Sequence, residues 1–390
     1  MGIATNIIQE KIIKEKPTTF TENEINNIKK LFFSQYQHSI SRLEPRINQY
    51  LNQIDLSIYS QMLETMGLDL KAQNPALQIE SLAKQTSYFI VNEIVYYMII
   101  QSQLKKHYNI SLPDLLDHTH FQQTNSLEAI NSAFKELLER FECAPIFLED
   151  HFFYEIISSV DFSDEITDLI KDFKEIPLIS LPNRTLFELF QGMIPKNEQK
   201  AMGQIYTPDK IADFMVKITI QSPNMTILDP ACGCGVLLSH FYSRLKTISQ
   251  KKGIQKNHQD LLSQIWGVEL NPFPAHLAMM ALALSDPSGI TNSVGVLLED
   301  FLKISGLKKY FVHSKDPRTG KRITLTMPKS FDAIIANPPY IKQERISNKG
   351  ELSKLLTAFA TLENQKRIEQ RDYNLPPNPI HKIQFELTGK

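Results

Sequence analysis

One stretch near the end of the chain constrains the fold more than any other: residues 331–340, which read Phe-Asp-Ala-Ile-Ile-Ala-Asn-Pro-Pro-Tyr. Its first half is a short apolar run bounded by polar residues, a pattern typical of a buried parallel strand. Pro338 and Pro339 cannot donate hydrogen bonds to a neighbouring strand, so we expect residues 337–340 to form a rigid loop at the strand's carboxyl end. Ligands bind at that end of the strands in open α/β sheets. The stretch therefore predicts an α/β fold with an amide, a fixed carbonyl and an aromatic ring at its site.

Length and composition set broad limits on the rest. The 390 residues, 42% hydrophobic and 22% charged, suffice for two globular domains with ordinary cores. Three cysteines give no disulfide framework, which favours a reducing cytoplasm, and Cys232 and Cys234 lack the partner pair that a metal site would need. The apolar run 88–100 is too short to cross a bilayer and contains Asn92 and Glu93, so we expect a buried helix and no membrane association.

The first half of the chain is predicted to be helical. Residues 21–185 show apolar side chains at helical spacing and few glycines, and prolines punctuate the segments. We expect an all-α domain over residues 1–185, with six to eight helices, followed by an α/β domain over residues 186–390. The aromatic residues of the first domain are interpreted as core.

A helix start follows the domain boundary. Residues 203–208 read Gly-Gln-Ile-Tyr-Thr-Pro and precede an apolar-periodic segment. Thr207 is a favourable N-cap, Pro208 a favourable first helical residue, and Asp209 complements the positive end of a helix. The residues alone indicate a well-capped helix.

Three further strand ends carry chemistry. Residues 226–235 read Thr-Ile-Leu-Asp-Pro-Ala-Cys-Gly-Cys-Gly, an apolar strand that runs into a turn where glycines allow close approach to a ligand. Residues 265–269 form a second strand that ends in Glu269, a position where a carboxylate accepts hydrogen bonds from ribose hydroxyls in doubly wound folds. Asp300 and Phe301 follow a third strand, predicted at 294–298.

Together these motifs resemble S-adenosylmethionine-dependent N6-adenine DNA methyltransferases, in particular type I modification subunits and type IIG enzymes. The resemblance covers about residues 180–350. It implies a Rossmann-like, mostly parallel, doubly wound sheet, which we expect to be incomplete at the C-terminus. The Gly-Gln-Ile-Tyr-Thr-Pro element discriminates best, because the related glutamine-amide and rRNA amino-methyltransferases generally lack it.

The resemblance also implies roles for individual residues. S-adenosylmethionine would be bound by the helix-start element, the glycine-bearing loop and the two acidic strand ends: Tyr206, Thr207, Pro208, Asp229, Pro230, Ala231, Gly233, Gly235, Glu269, Asp300 and Phe301. The side-chain oxygen of Asn337 and the carbonyl of Pro338 would accept hydrogen bonds from the N6 amine of a flipped adenine, with Pro339 fixing the loop and Tyr340 stacking on the base. No metal is expected.

Charge distribution favours nucleic acid as the partner. Residues 301–350 hold eleven Lys or Arg against three Asp or Glu, an excess of eight positive charges beside the expected site. Double-stranded DNA is the predicted substrate, within a restriction-modification or related defence system.

Two other interpretations stay open. One is a glutamine-amide or rRNA amino-methyltransferase. The other is an inactive fragment that binds DNA or assembles with a partner, because the family's further strands and target-recognition region do not fit in the fifty residues after Tyr340. On this view a specificity subunit, or a chain carrying the missing C-terminal part, would complete the protein.

Overall fold

The structure is a computed structural model of the chain. It describes residues 20–59, 63, 75–116, 130, 132–137, 156, 159–178, 181, 185, 189, 207–286, 289, 291, 293–301, 304, 309–315, 322–328 and 330–337. All of them belong to one compact unit, Met1–Asn337.

The first part of this unit is helical. Its longer helices are α1 (Glu22–Leu51), α2 (Pro75–Tyr108) and α3 (Ser163–Lys174), and a 3-10 turn spans Leu56–Tyr59. A capping box begins α1: the side chain of Thr21 accepts a hydrogen bond from the N–H of Glu24, and the Glu24 carboxylate accepts one from the N–H of Thr21. The prediction of helical structure in this half is confirmed where the structure describes it.

The core of the helical part is aromatic. Tyr36 of α1 stacks on Tyr88 of α2 with ring centroids 5.8 Å apart, and the Tyr36 hydroxyl donates to Asn92 Oδ1 over 2.8 Å. Residues 82–97 of α2 are buried at all but one position, so the prediction of a buried helix over 88–100 is confirmed. This side-chain packing stabilises α2, because burying a large apolar side chain contributes about 1.5–3 kcal/mol.

The second part alternates strands and helices. The helices are α4 (Asp209–Thr219), α5 (Val236–Lys251), α6 (His258–Leu262) and α7 (Pro272–Ala283). The strands are β1 (Ile227–Asp229), β2 (Ile265–Glu269), β3 (Gly295–Leu298), β4 (Lys309–Lys315), β5 (Arg322–Thr326) and β6 (Ala333–Ile334).

Four of the strands form a parallel sheet in the order β3-β2-β1-β6. The chain moves outward from β1 through β2 to β3 and then returns to pair β6 with the other edge of β1. Such a reversal is the topological switch point, beside which ligands bind in open α/β folds. The predicted α/β fold, and the four strands on which it rests, are confirmed.

The strands β4 and β5 pair antiparallel as a separate two-stranded sheet, with a register irregularity between Phe311 and Lys315. The predicted basic cluster overlaps this hairpin, but most of its side chains lie outside the described residues. Its role stays a prediction.

Aromatic contacts join the helical part to the α/β part. Tyr88 of α2 stacks on Phe273 of α7 at 5.8 Å, and the ring of Phe89 lies 4.4 Å from that of His276. His276 is fully buried, as expected of a core histidine. The two parts therefore share one hydrophobic core, and the domain boundary at residues 185/186 stays a prediction. Among the described helices, none is long and apolar enough to cross a membrane.

A buried histidine generates a prediction about acid stability. His258 lies between the hydroxyl of Tyr242, 2.8 Å from Nδ1, and that of Thr291, 3.1 Å from Nε2. Burial lowers the pKa of His258 to about 4. Because the unfolded chain binds this proton near pH 6.5, the folded state loses about 2 kcal/mol of stability through His258 as the pH falls from 7 to 5.

We expect a His258→Gln variant to be less stable than the wild type at pH 7 but to lose less stability on going to pH 5. Urea unfolding at both pH values measures this difference. His38→Gln, at an exposed position of α1, is the matched control and should keep the wild-type pH dependence. Equal pH dependence in the His258 variant and the wild type would contradict the prediction.

Candidate active site

The described site residues gather along the carboxyl edge of the parallel sheet. Asp229 ends β1 and Glu269 ends β2, Asp300 lies two residues past β3, and Asn337 lies three residues past β6. Because parallel strands all end at the same edge, residues far apart in sequence are placed side by side.

Between β1 and α5 the loop of residues 230–235, with Pro230 and Ala231 at its start, turns on two glycines. Gly233 and Gly235 have φ angles of +52° and +80°, a left-handed conformation that other residues adopt at a cost. A Cβ atom at Gly235 would lie 2.9 Å from the Cα of Ala278 in α7, so this glycine allows a helix to pack closely. At Gly233 a Cβ atom would meet no atom within 4 Å. The expected close approach to a ligand is therefore compatible with Gly233, and Gly235 allows α7 to pack closely; the roles of both glycines in cofactor binding stay predictions.

Asp229 is the most perturbed carboxyl group of the site. It is 1% exposed, and its Oδ1 accepts a hydrogen bond of 3.1 Å from the N–H of Ala231. Burial, with a smaller contribution from the charge of Glu269, raises the pKa of Asp229 to about 7. A buried carboxyl group of this kind gains from a cation placed beside it, because the cation replaces lost solvation.

Glu269 binds the loop to the next helix. Its Oε2 accepts a hydrogen bond from the N–H of Gly233 and its Oε1 one from the N–H of Asn271, both 2.9 Å long. Burial raises the pKa of Glu269, and hydrogen bonds from the N–H groups of Asn271, Gly233 and Leu270 oppose that rise. A carboxylate has about four lone-pair sites, so these contacts leave acceptor capacity for a ligand hydroxyl.

Asp300 and Phe301 are joined to the end of β2 through the backbone. The N–H of Glu299 donates to the carbonyl of Glu269 over 3.1 Å, and the N–H of Asp300 donates to the Glu299 side chain over 2.9 Å. Phe301 packs against a small apolar cluster that includes Trp266. Both residues therefore lie near Glu269, as expected of a cofactor pocket, and their roles stay predictions.

On the other side of β1, Asn337 contacts the start of α4. The Ile335 N–H donates to the Leu228 carbonyl over 3.0 Å, which extends the pairing of β6 to the residues before Asn337. The side-chain Nδ2 of Asn337 donates to the hydroxyl oxygen of Thr207 over 3.0 Å. A residue predicted to bind cofactor and one predicted to bind substrate are thus in direct contact.

The prediction that Thr207 caps α4 is wrong. The helix begins at Asp209, its N-cap is Pro208, and no side chain caps it. Pro208 has a ψ of 137°, outside the helical range, and its carbonyl accepts the first helical hydrogen bonds, from Ile211 and Ala212. The Thr-Pro-Asp pattern is equally compatible with a helix that begins at Pro208 and with one that begins at Asp209. In the structure the Thr207 oxygen accepts a hydrogen bond from Asn337 and none from the N–H groups of the helix.

Several predicted site residues, Tyr206, Pro338, Pro339 and Tyr340, lie outside the described residues. The expected carbonyl acceptor and stacking ring therefore stay predictions.

Sequence reasoning missed several contacts at this edge of the sheet. It did not single out Glu299, whose side chain bonds Asp300, or His240, whose Nε2 lies 2.9 Å from Asp209 Oδ1. Glu299 directly precedes the predicted Asp-Phe pair, a signal that could have been used. The partner of His240 lies 31 residues away and has no local signal.

The loop cysteines offer no nucleophile. Burial raises the pKa of the Cys232 thiol well above its usual range and that of Cys234 to about 12. Both thiols therefore stay protonated at neutral pH, and a thiol is far less nucleophilic than a thiolate. No group of three or more His, Cys, Asp or Glu residues in the described part of the chain could hold a metal ion.

Comparison with known families gives one match over the site. Residues 185–368 match the family model described as N-6 DNA Methylase. Over 111 residues the chain is 32% identical to the type I restriction enzyme EcoEI methylase subunit of Escherichia coli, which is 28% of this chain and 22% of that protein. The aligned part thus spans about a fifth of this relative's length.

Solved structures of restriction-modification enzymes are also similar. The type I methyltransferase subunit from Streptococcus thermophilus is 14% identical, with a TM-score of 0.41, over 81% of this chain and 64% of that one. The type IIL enzyme MmeI, solved in complex with DNA, is 13% identical, with a TM-score of 0.33, over 64% of this chain and 41% of that one.

The buried Asp229 carboxyl generates a prediction about stability. Its folded-state pKa of about 7 exceeds the ordinary value of 3.8, so the folded state loses stability as the pH rises between these two values. An Asp229→Asn variant has no such loss. Without ligand it should gain about 2 kcal/mol on the wild type between pH 5.5 and pH 8. Urea unfolding of both proteins at both pH values measures this gain.

Asp213→Asn is the control, since Asp213 lies on the surface of α4 in an ion pair with Lys217. Its stability relative to the wild type should change little between the two pH values. A constant difference between Asp229→Asn and the wild type would show that Asp229 is not the perturbed group.

Proposed function

We propose, from the match of residues 185–368 to the N-6 DNA Methylase family model, that this chain is a DNA adenine-N6 methyltransferase that uses S-adenosylmethionine. The observation that carries the proposal is the placement of Asn337. Its amide follows β6 at the switch point of the sheet, beside the loop that begins at Asp229. An adenine amine that reached this edge would meet a side-chain acceptor next to the strand ends proposed to bind the cofactor.

The chemistry of the residues proposed to bind the cofactor supports S-adenosylmethionine. This cofactor carries an ammonium and a sulfonium. Burial raises the pKa of Asp229 and Glu269, and a cation beside these carboxyl groups would stabilise their charged forms. Its ribose hydroxyls suit the remaining acceptor sites of Glu269, and its adenine suits Asp300 and Phe301. When bound, the cofactor supplies an electrophilic methyl group.

Asn337 would activate the substrate amine by accepting a hydrogen bond. The conjugated amine of adenine is planar and its lone pair is delocalised into the ring. An acceptor at Asn337 Oδ1, together with the Pro338 carbonyl, would draw the two N–H bonds out of the ring plane and localise the lone pair on nitrogen. No strong base is needed for this, and catalysis consists of orientation and dipole placement.

DNA and a multi-subunit assembly are part of the proposal. The relative from Escherichia coli is a subunit of a type I restriction enzyme. We therefore propose double-stranded DNA as the substrate, a specificity subunit or further chain as the partner that reads sequence, and a cytoplasmic location. The basic segment 301–350 would contact the phosphate backbone.

The Asn337→Ala substitution tests the function in the cell, where any partner is present. Cells with the wild-type gene should carry N6-methyladenine at a defined genomic motif, and cells with the Asn337→Ala allele should lose it, because the amine loses its side-chain acceptor. Single-molecule sequencing of genomic DNA measures both. Persistence of the same methylated motif would refute the role of Asn337. Methyl label from the cofactor in RNA or protein, with none in DNA, would favour the rival amino-methyltransferases.

Calorimetric titration with S-adenosylmethionine separates the two halves of the site. The purified wild-type chain should bind with micromolar affinity, and Asn337→Ala should bind equally well. Asp229→Ala should bind at least tenfold more weakly, because it removes a carboxylate that faces a cation. A folded wild-type protein that binds no cofactor would favour the DNA-binding or assembly fragment.

A further inference from the structure

The contact between Thr207 and Asn337 joins two segments that are 130 residues apart in sequence. Thr207 is 7% exposed, and its hydroxyl oxygen lies 3.0 Å from Nδ2 of Asn337. Because the side chain does not cap α4, its described hydrogen bond is the one to the amide. A largely buried hydroxyl that does not cap a helix has its main effect on the group that it binds.

Amide orientation decides what Asn337 can do. The carboxamide has an acceptor on one side and a donor on the other, and rotation by half a turn about its last bond exchanges them. This torsion has broad, roughly two-fold preferences, so the side chain alone does not select one orientation. With Nδ2 on Thr207, Oδ1 is left for a substrate amine. The opposite orientation would point N–H donors at an amine, which is repulsive.

Thr207 is itself held by regular structure. Pro208 is the N-cap of α4, and its carbonyl accepts hydrogen bonds from the N–H groups of Ile211 and Ala212, at 2.8 and 3.0 Å. Ala212 is buried in the core, and the neighbouring Asp209 lies 2.9 Å from His240 of α5. The hydroxyl is therefore fixed by two packed helices, whereas Asn337 lies in irregular backbone after a short strand. A group anchored in this way can orient a less constrained one.

We infer that Thr207 is a positioning residue of the methyl-transfer reaction: its hydroxyl accepts a hydrogen bond from Nδ2 of Asn337 and holds this side chain where Oδ1 is left for the substrate amine. This inference rests on the proposed function and deepens it. It also differs from the role in cofactor binding that the resemblance implies for Thr207, since a positioning residue affects turnover without affecting cofactor affinity.

The kinetic test compares three substitutions of Thr207. Thr207→Val keeps the volume and removes the hydrogen bond, Thr207→Ala repeats the loss without risk of overpacking, and Thr207→Ser keeps the hydroxyl. Thr219→Val is the matched control, because Thr219 lies at the far end of the same helix and its hydroxyl bonds only the carbonyl of Met215 among the contacts described. The substrate is unmethylated genomic DNA from cells that carry the Asn337→Ala allele.

We expect kcat to fall about 100-fold in Thr207→Val and Thr207→Ala, because a misplaced catalytic group costs that much. Thr207→Ser and Thr219→Val should keep kcat within a few-fold of the wild type. The Kd for S-adenosylmethionine, measured by calorimetry, should be unchanged in all four. A wild-type kcat in Thr207→Val, equal losses in the Ser and Val variants, or a Kd that weakens in parallel with kcat would each overturn the inference.

A second measurement needs no turnover. Side-chain amide signals of asparagine are recorded by NMR on the labelled full chain, and the Asn337 pair is assigned by its absence from Asn337→Ala. Exchange of these protons with water should be about tenfold faster in Thr207→Val than in the wild type or Thr207→Ser, since one hydrogen bond is lost. Unchanged exchange would overturn the inference. Absence of DNA methylation by the wild type, with this protection intact, would instead refute the proposed function.

Discussion

Hydrogen bonding along both edges of β1 is the interaction on which the site depends. One edge pairs with β2 through Asp229 and Gly267, and the other pairs with β6 as far as Ile335. A short strand so paired has no freedom to change register, because all three of its residues are buried and a slip of one residue would turn each side chain to the opposite face of the sheet. Asp229 and Asn337 are therefore placed by the same three-residue strand, one at its own end and one just past its neighbour's.

The local parts of this arrangement could be predicted from sequence, and the long-range parts could not. Apolar runs that end in Asp229 and Glu269 identify strands and their carboxyl ends, because the signal lies within a few residues. The partner of Thr207 has no such signal. The local rule favours a helix cap there, and a tertiary contact with Asn337 prevailed over it. Likewise, aromatic residues at helical spacing in α2 predict a core but do not reveal that Tyr88 packs against Phe273.

Burial of the acidic strand ends shows a cost that the site imposes on the fold. Asp229 accepts a backbone hydrogen bond from Ala231, but burial outweighs it and raises the pKa of Asp229. Glu269 accepts hydrogen bonds on both oxygens, and burial still raises its pKa. A fold selected for stability alone would place a neutral side chain at residue 229. Clusters of perturbed carboxyl groups in a cleft are typical of functional sites, where stability is lost in exchange for binding.

The contact between α2 and α7 has a consequence for recombination between relatives. Asn271 caps α7 and donates its N–H to Glu269, while the first turns of this helix pack through Phe273 and His276 against Tyr88 and Phe89. Helix α7, which packs against the glycine loop at Gly235, is thus itself packed against a helix from the other half of the chain. A chimaera that joins the helical half of one homologue to the α/β half of another would have to carry matched side chains at these four positions.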